Sequence, residues 1–271
     1  MNSRLDVFLV QQGLCVSRER ARVAIASGNV AVNGEVVTKP AKTIQESDEV
    51  HIADLFSRYV SLGGLKLEKA ILDFHLILTG KKVLDIGAST GGFTDCALQH
   101  GAETCTCIDV GTEQMTPALK ENPRVKTMEQ TDFRELTTQD LDNQKYDFIL
   151  ADVSFISLTC LFPRFSCFLN EGGQLILLIK PQFEVGNSFL NKQGIVTYPK
   201  GYQTAILKVV TEALNHGYFL QNLTISTLFE WPKNVEFLSL FSREKCTFSL
   251  DMSSLMEEVK QKIKEVKKRK T

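Results

Sequence analysis

Residues 81–92 read KKVLDIGASTGG, and this stretch decides the fold. Residues 83–86 form a short apolar run that predicts a buried strand, and residues 93–98 begin a helical pattern. The small residues at 87–92 predict a tight turn, because a backbone without Cβ bends sharply and allows a ligand to approach closely. A strand, a glycine turn and a helix indicate the first crossover of a doubly wound sheet. A glycine-rich surface turn is the alternative interpretation.

The spacing of these glycines indicates the kind of ligand. Gly87-x-x-x-Gly91-Gly92 differs from the G-x-G-x-x-G of nicotinamide-dinucleotide enzymes. It favours a ligand with an amino-acid part and a nucleoside part, and with no pyrophosphate to hold.

Further strand patterns follow along the chain, with helical patterns between them. This alternation predicts an α/β fold with a doubly wound, mostly parallel, seven-stranded sheet. Polar residues follow five successive strands, at the edge where open α/β sheets bind ligands. The six further predicted strands are residues 104–108, 125–128, 146–151, 174–179, 220–227 and 235–242.

Aspartates at two strand ends complete a predicted cofactor site. Asp109 lies 22 positions after Gly87 (109 minus 87), which suits a carboxylate that accepts hydrogen bonds from ribose hydroxyls; an ordinary loop aspartate is the alternative. Asp132 would accept from an adenine amine, and Phe133 would stack on the ring. These features fit S-adenosylmethionine. The predicted cofactor-binding residues are Asp85, Gly87, Ala88, Ser89, Thr90, Gly91, Gly92, Phe93, Asp109, Asp132 and Phe133.

The strand ends at Asp152 and Lys180 indicate the acceptor chemistry. Asp152-Val153-Ser154-Phe155 lacks the two prolines common in enzymes that methylate a base amine, and the chain has no Pro-Cys pair for methylation at a base carbon. Pro181 holds Lys180 extended, which would direct its amine out of the sheet. A lysine that accepts a proton needs a lowered pKa. A plain ion pair with Asp152 is the alternative.

Residues 1–58 predict a separate small α+β module. Helices at 5–13 and 18–27 precede a hairpin at 30–37, whose Asn33-Gly34 pair is a strong turn signal. The string Ser17-Arg18 with Ala21, Ile25, Gly28, Val30 and Val32-Asn33-Gly34 resembles the RNA-binding fold named after ribosomal small-subunit protein four. The alternative interpretation of the arginines in its second helix is a solvated helix face. The basic residues expected to contact RNA phosphates are Arg18, Arg20, Arg22, Lys39 and Lys42.

Six motifs together make the chain similar to the TlyA family, which joins that module to a methyltransferase domain of the FtsJ type. The resemblance covers residues 1 to about 243 and implies 2'-O-methylation of cytidine in ribosomal RNA by the tetrad Lys66, Asp152, Lys180 and Glu236. Lys180 would lie nearest the hydroxyl, as base or as orienter. The motifs are GGLKLE (63–68), DIGASTGGFTD (85–95), DVG (109–111), ADVSFISL (151–158), IKPQFE (179–184) and NVEFL (234–238).

The chain departs from the family pattern in two places. Leu62 stands where an arginine is usual, and Trp231-Pro232-Lys233-Asn234 is tighter than the usual glycine-containing turn before the last strand. The second departure makes Glu236 the least secure member of the tetrad. We expect the methyltransferase domain at 59–245, with a basic terminal helix at 246–271. Residues 184–200 predict a loop beside the site, either a lid or a surface excursion.

Composition limits the remaining interpretations. The chain of 271 residues has no apolar run near the ~20 residues of a membrane span, and residues 1–25 lack a signal-peptide layout. Seven cysteines without a C-x-x-C pair indicate reduced thiols in a cytoplasmic protein, and no ligand spacing predicts a metal site. The expected partner is ribosomal RNA or a ribosomal subunit. A membrane-active, hemolysin-like protein and a catalytically inactive RNA-binding protein are the competing functions.

Overall fold

The computed structural model describes residues 3–15, 17–52, 58–226 and 233–268, except for the side chains at 19 and 266–268. Several sequence predictions therefore lie outside the described residues. They concern the end of the first module at 54–57, the end of a strand at 227, the turn residues Trp231 and Pro232, and the basic chain end at 269–270.

The N-terminal module contains two helices and short strands, as the sequence predicts. Ser17 begins the second helix, because its side chain accepts a hydrogen bond from the Arg20 amide at 3.2 Å. Asn33 and Gly34 both have positive φ, which a two-residue hairpin turn requires. The elements are β1 (Ser3–Arg4), α1 (Leu5–Gln11), α2 (Arg18–Ala26), β2 (Val30–Val32), β3 (Glu35–Val36), β4 (Thr43–Ile44) and β5 (Val50–Ile52).

The second part of the chain alternates strands and helices. Its elements are α3 (Gly63–Asp73), β6 (Lys82–Ile86), α4 (Gly92–Gln99), β7 (Thr104–Ile108), α5 (Pro117–Lys120), β8 (Val125–Met128), β9 (Tyr146–Ala151), α6 (Phe162–Phe168), β10 (Leu169–Ile179), α7 (Pro181–Glu184), α8 (Pro199–Asn215), β11 (Phe219–Ile225), β12 (Phe237–Ser242) and α9 (Met252–Lys268). No helix among the described residues is long and apolar enough to cross a membrane.

The predicted mostly parallel seven-stranded sheet is confirmed. The strand order is β11-β12-β10-β9-β6-β7-β8, and the pairs from β10 through to β8 are all parallel. Among these seven strands, β12 alone runs in the opposite direction, because it pairs antiparallel with both β10 and β11. The strand order reverses at β6, because β7 and β8 extend the sheet on one side of it and β9 lies on the other. The carboxyl ends of β6, β7 and β9 therefore meet where a doubly wound sheet has its ligand crevice.

Side chains from alternate strand positions fill two apolar cores, one on each face of the sheet. One core packs strand residues such as Leu150 against α3 and α4, and it continues without a break into the N-terminal module through residues such as Leu9 and Ala24. The other core packs Ile149 and its equivalents against α6, α8 and α9. The module and the sheet therefore share one hydrophobic interior.

Aromatic rings dominate the second core. Phe165 is fully buried, and its ring centroid lies 5.3 Å from that of Phe162 and 5.8 Å from that of Phe133. The terminal helix α9 also packs here, through Leu255 and Val259. The first part of this helix is therefore docked on the fold.

We expect Phe165→Ala to lower the free energy of unfolding by about 3–5 kcal/mol, because it leaves a cavity among rings that cannot all move inward. Urea denaturation measures the change. Leu72→Ala is the matched control, since Leu72 is 64% exposed on α3 and its loss should change stability by less than about 0.5 kcal/mol. Similar losses in the two variants would contradict this account of the core.

Candidate active site

Four charged side chains from distant parts of the chain meet in one cleft. Asp152 Oδ1 lies 2.6 Å from Lys180 Nζ, and Asp152 Oδ2 lies 3.6 Å from Lys66 Nζ. Lys66 also donates to Glu236 Oε2 at 2.8 Å. The four side chains are between 10% and 18% exposed, so they lie at the floor of the cleft and can still be reached from it.

The topology explains why these residues meet. Asp152 and Lys180 directly follow the adjacent parallel strands β9 and β10, so they share the carboxyl edge of the sheet. Glu236 precedes β12, and because β12 is antiparallel its start lies beside the end of β10, where Phe237 pairs with Ile179. Lys66 lies in the first turn of α3, the helix that packs over this edge.

Local sequence fixes the direction of Lys180. Its backbone is extended, with φ −105° and ψ 101°, and Pro181 begins α7. This is the conformation that a following proline imposes. Lys180 Nζ also donates to Ser154 Oγ at 2.7 Å, a contact that the sequence patterns did not indicate. The only signal available was the position of Ser154, two residues beyond a strand-end aspartate.

The electrostatics of the cleft favour charged forms for two of these groups. Burial alone would lower the pKa of Lys66, but the carboxylates of Asp152 and Glu236 outweigh it and raise that pKa. Burial alone would raise the pKa of Asp152, but Lys66 and Lys180 outweigh it and hold that pKa below its ordinary value. Lys66 therefore keeps its proton, and Asp152 remains a carboxylate.

The glycine turn passes directly beside Asp152. Gly87 has φ +78°, and a Cβ at this position would lie 2.9 Å from the backbone oxygen of Asp152. Gly91 has φ +94°, and a Cβ there would lie 2.3 Å from Leu119 Cδ1. Gly87 is thus required both by its backbone angle and by the backbone beside it, whereas Gly91 is required by its backbone angle, since the side chains of Leu119 and Met115 can move. The cleft is also lined by the rest of this turn and the residue after it, namely Ala88, Ser89, Thr90, Gly92 and Phe93.

Asp85 lies below the turn and does not reach the cleft. It is fully buried and accepts from Thr94 Oγ1 at 2.6 Å. Burial raises the pKa of Asp85 to about 7, and the like charges of Asp152 and Asp109 act in the same direction. Its side chain supports the turn from inside the protein.

A second cavity of about 410 Å³ adjoins the cleft and contains the other predicted cofactor residues. Asp109 secures its rim, because Oδ2 accepts from the Ser89 amide at 2.8 Å and Oδ1 from the Gly111 amide at 2.7 Å. Asp132 accepts from Arg134 Nε at 3.0 and 3.1 Å. Each oxygen of Asp109 therefore retains a second lone pair for a ligand, whereas each oxygen of Asp132 already accepts two hydrogen bonds from Arg134.

The expectation that the Phe133 ring stacks on an adenine needs correction. Phe133 lines the second cavity, but it is only 2% exposed and its ring packs against Phe165 and Phe168. The exposed ring at this cavity is instead Phe155, which is 89% exposed and has φ +68°. In the sequence, Phe155 is indicated only by its position, three residues after Asp152.

The predicted RNA-contacting residues divide into two groups. Arg18 and Arg22 are half exposed, and each lies 3.2 Å from Asp6 Oδ2, while Lys39 and Lys42 are exposed. Arg20 does not share their surface, because its side chain is only 2% exposed. An α-helix turns by 100° per residue, so residues 18 and 22 share one face and residue 20 points away from it.

The loop at 184–200 lies over the cleft, which Leu190, Gln193 and Gly194 help to line. Asn234 ties this loop to the segment before β12, because it accepts from the Val196 amide at 2.8 Å and donates to the Gly194 oxygen at 2.9 Å. Glu236 follows two residues later, so these bonds support its position. Leu62, the other departure from the family pattern, also lines the cleft.

The raised pKa of Asp85 predicts a pH-dependent stability. Because its folded-state pKa exceeds the ordinary 3.8, the folded protein binds more protons than the unfolded chain between about pH 4 and pH 7, and stability falls as the pH rises through that window. Asp85→Asn cannot ionise and keeps an oxygen for Thr94. The free energy of unfolding of Asp85→Asn, relative to that of the wild type, should rise by about 2 kcal/mol from about pH 5 to pH 8.

Urea titrations at the two pH values measure this difference. Asp142→Asn, at an aspartate whose side chain is 84% exposed, is the control and should follow the wild type. If Asp85→Asn also follows the wild type, its carboxyl ionises as an exposed one does.

The sequence and the fold both match known proteins. Residues 59–242 match the FtsJ-like methyltransferases, and residues 3–50 match the S4 domain. The chain is 40% identical over 235 residues to Bacillus subtilis YqxC, which carries an rRNA-methyltransferase name, covering 87% of this chain and 84% of that one. It is 33% identical over 264 residues to the Mycobacterium tuberculosis 16S/23S rRNA (cytidine-2'-O)-methyltransferase TlyA, covering 97% and 98%.

A solved structure from Streptococcus thermophilus, which carries a hemolysin name, is 37% identical and has a TM-score of 0.75, with 99% of this chain and 98% of that one covered. The matches therefore extend over both parts of the chain. The protein belongs to the TlyA family, in which an S4 domain is joined to an FtsJ-like methyltransferase domain.

Proposed function

We propose that this methyltransferase transfers a methyl group from S-adenosylmethionine to the 2'-hydroxyl of a cytidine in ribosomal RNA. The observation that carries the proposal is the network of Lys66, Asp152, Lys180 and Glu236 at the floor of the cleft. The name of the Mycobacterium tuberculosis relative supports the choice of cytidine and of ribosomal RNA. This substrate would place the enzyme in the cytoplasm, together with ribosomes.

The shape of the site fits the proposed cofactor. The cleft of about 770 Å³ and the smaller cavity share Gly87, Ser89, Asp152 and Ser154, so one ligand can extend from one space into the other. Asp109 and Asp132 would hold the ribose and the adenine in the smaller cavity. The turn at 87–92 would hold the methionine part, since any side chain at Gly87 would meet Asp152.

Side chains of the cleft would orient the 2'-hydroxyl that receives the methyl group. S-adenosylmethionine supplies a methyl group on a positively charged sulfur. An ammonium group has three N–H donors, and two of those on Lys180 are accounted for by Asp152 and Ser154. The third is left for the 2'-hydroxyl oxygen, and a neutral Lys180 could instead take the hydroxyl proton.

Asp152 and Glu236 would act through the two lysines. Asp152 fixes the Lys180 amine, and Lys66 joins Asp152 to Glu236, so the four groups hold one geometry. Methyl transfer is an in-line displacement, in which alignment of the two reactants supplies much of the acceleration. We therefore assign Lys180 to contact with the hydroxyl, and the other three residues to positioning.

Removal of the Lys180 amine tests the proposal. Lys180→Ala should lower methyl transfer by at least about 100-fold, because the hydroxyl loses the amine that orients it or accepts its proton. The affinity for S-adenosylmethionine should stay nearly unchanged. The assay follows labelled methyl groups into ribosomal subunits and naked ribosomal RNA in a single turnover, and calorimetry measures cofactor binding.

The control is Lys81→Ala, at an exposed lysine on the opposite, amino edge of the sheet, and it should retain full activity. Absence of transfer by the wild type to any ribosomal RNA would sink the proposal. Label recovered on a base after nuclease digestion would contradict a 2'-hydroxyl acceptor. Loss of cofactor binding in Lys180→Ala would mean that Lys180 contacts S-adenosylmethionine and not the RNA hydroxyl.

The exposed lysines of the module provide a separate test. Reversing both charges in Lys39→Glu/Lys42→Glu should weaken RNA binding and reduce the slope of log K against log salt by about two, since two phosphate contacts are lost. Cofactor affinity should not change. Lys245→Glu, an exposed lysine beyond the end of β12, is the control. An unchanged salt slope in the double variant would show that these lysines do not contact RNA phosphates.

A further inference from the structure

Arg20 lies in the wall of a cavity between the two domains. This cavity of about 580 Å³ is formed by Ser17 and Arg20 from the module, residues 60–63 before and at the start of α3, and Thr90 and Thr116 from the methyltransferase domain. It is distinct from the cleft that holds the catalytic network, although residues 61–63 and Thr90 border both.

The guanidinium of Arg20 is buried without a hydrogen-bond partner in the described part of the chain. Its Nε, Nη1 and Nη2 atoms are buried, and none has a hydrogen-bond partner among the described residues. Asp95, the carboxylate whose charge acts on Arg20, accepts instead from the Val60 amide at 2.7 Å and from Gln99 at 3.0 Å. A buried and unpaired charge is strongly unfavourable, so proteins normally supply a counter-charge.

A second unpaired group borders the same cavity. Thr116 Oγ1 is buried and also lacks a hydrogen-bond partner in the described part of the chain. Ser17, Ser61 and Thr90 add further hydroxyl groups around the space. One guanidinium together with several hydroxyls matches the oxygens of a phosphate group, which takes hydrogen bonds from arginine, serine and threonine.

We propose that Arg20, with Ser61, Thr90 and Thr116, binds a phosphate group in the cavity between the S4 and methyltransferase domains. A phosphodiester of the bound RNA is one source, and this part of the inference rests on the proposed function. Free phosphate, or a phosphate-bearing small molecule, is the other. Arg18 and Arg22 cannot serve here, because they lie on the opposite helix face with Asp6.

Arg20→Met tests the site in the full-length protein, because it keeps most of the side-chain volume and removes the charge. The wild type should melt at a higher temperature in phosphate than in chloride of equal ionic strength, since a ligand that binds only the folded state stabilises it. Arg20→Met should lose this difference. In chloride it should be at least as stable as the wild type, because it no longer buries an unpaired charge.

Thr116→Val provides an independent variant that leaves Arg20 in place, and it should reduce the phosphate effect. Arg124→Gln, at an exposed arginine before β8, should keep the full effect. An equal phosphate effect in the wild type and in Arg20→Met would overturn the proposal. So would a weaker binding of S-adenosylmethionine by Arg20→Met, because the cavity would then serve the cofactor.

RNA binding distinguishes the two sources of phosphate. If RNA supplies the group, Arg20→Met should weaken RNA binding about tenfold and reduce its salt slope by about one. If RNA binding is unchanged while the phosphate effect is lost, the site takes a free phosphate compound. Neither thermal measurement needs methyl transfer, so failure of this inference is distinguishable from failure of the proposed enzyme activity.

Discussion

The position of Asp152 constrains the whole catalytic half of the protein. Its carboxylate lies between two lysines from different elements, and its backbone oxygen lies against Gly87, where no side chain fits. The glycine turn and the two lysines are therefore in contact across a single residue. A shift of β9 by even one position would separate Asp152 from both lysines and open the turn. The register of this strand with β6 and β10 is thus a requirement of the charged network and of the chemistry proposed for it.

The sequence predicted the central strands well because they are buried on both faces, and β7 and β9 begin and end at the predicted residues. The edge strand β8 also has the predicted bounds, although none of its residues is fully buried. Strand β10 was predicted to start at 174 but starts at Leu169, because Gly172 and Gly173 look like a turn. The structure accommodates them with Gly172 at φ +76° and a register shift between Leu169 and Gln174.

Side-chain directions were harder to predict than element positions. Alternate arginines look like one basic cluster in sequence, but a helix places Arg20 opposite Arg18 and Arg22. An aromatic residue after a strand suggests stacking, but the phenylalanines of α6 take the Phe133 ring into the core. Glu236 reaches the site only because the last strand is antiparallel, and an apolar run carries no sign of its direction. The family resemblance supplied that residue where the physical pattern did not.

The shared interior of the two domains has a consequence for target selection. Val23 and Ser27 of the S4 domain line the same cleft as Lys180, and the apolar core is continuous between the domains. A module on a free tether would let the enzyme reach nucleotides over a wide range of distances. Under the proposed function, the separation between the module's RNA-binding surface and the ribose beside Lys180 would be built into the protein, and the molecule would measure distance as a ruler does. It would select its nucleotide by the three-dimensional distance from a folded landmark, and neighbouring cytidines at other distances would be left unmodified.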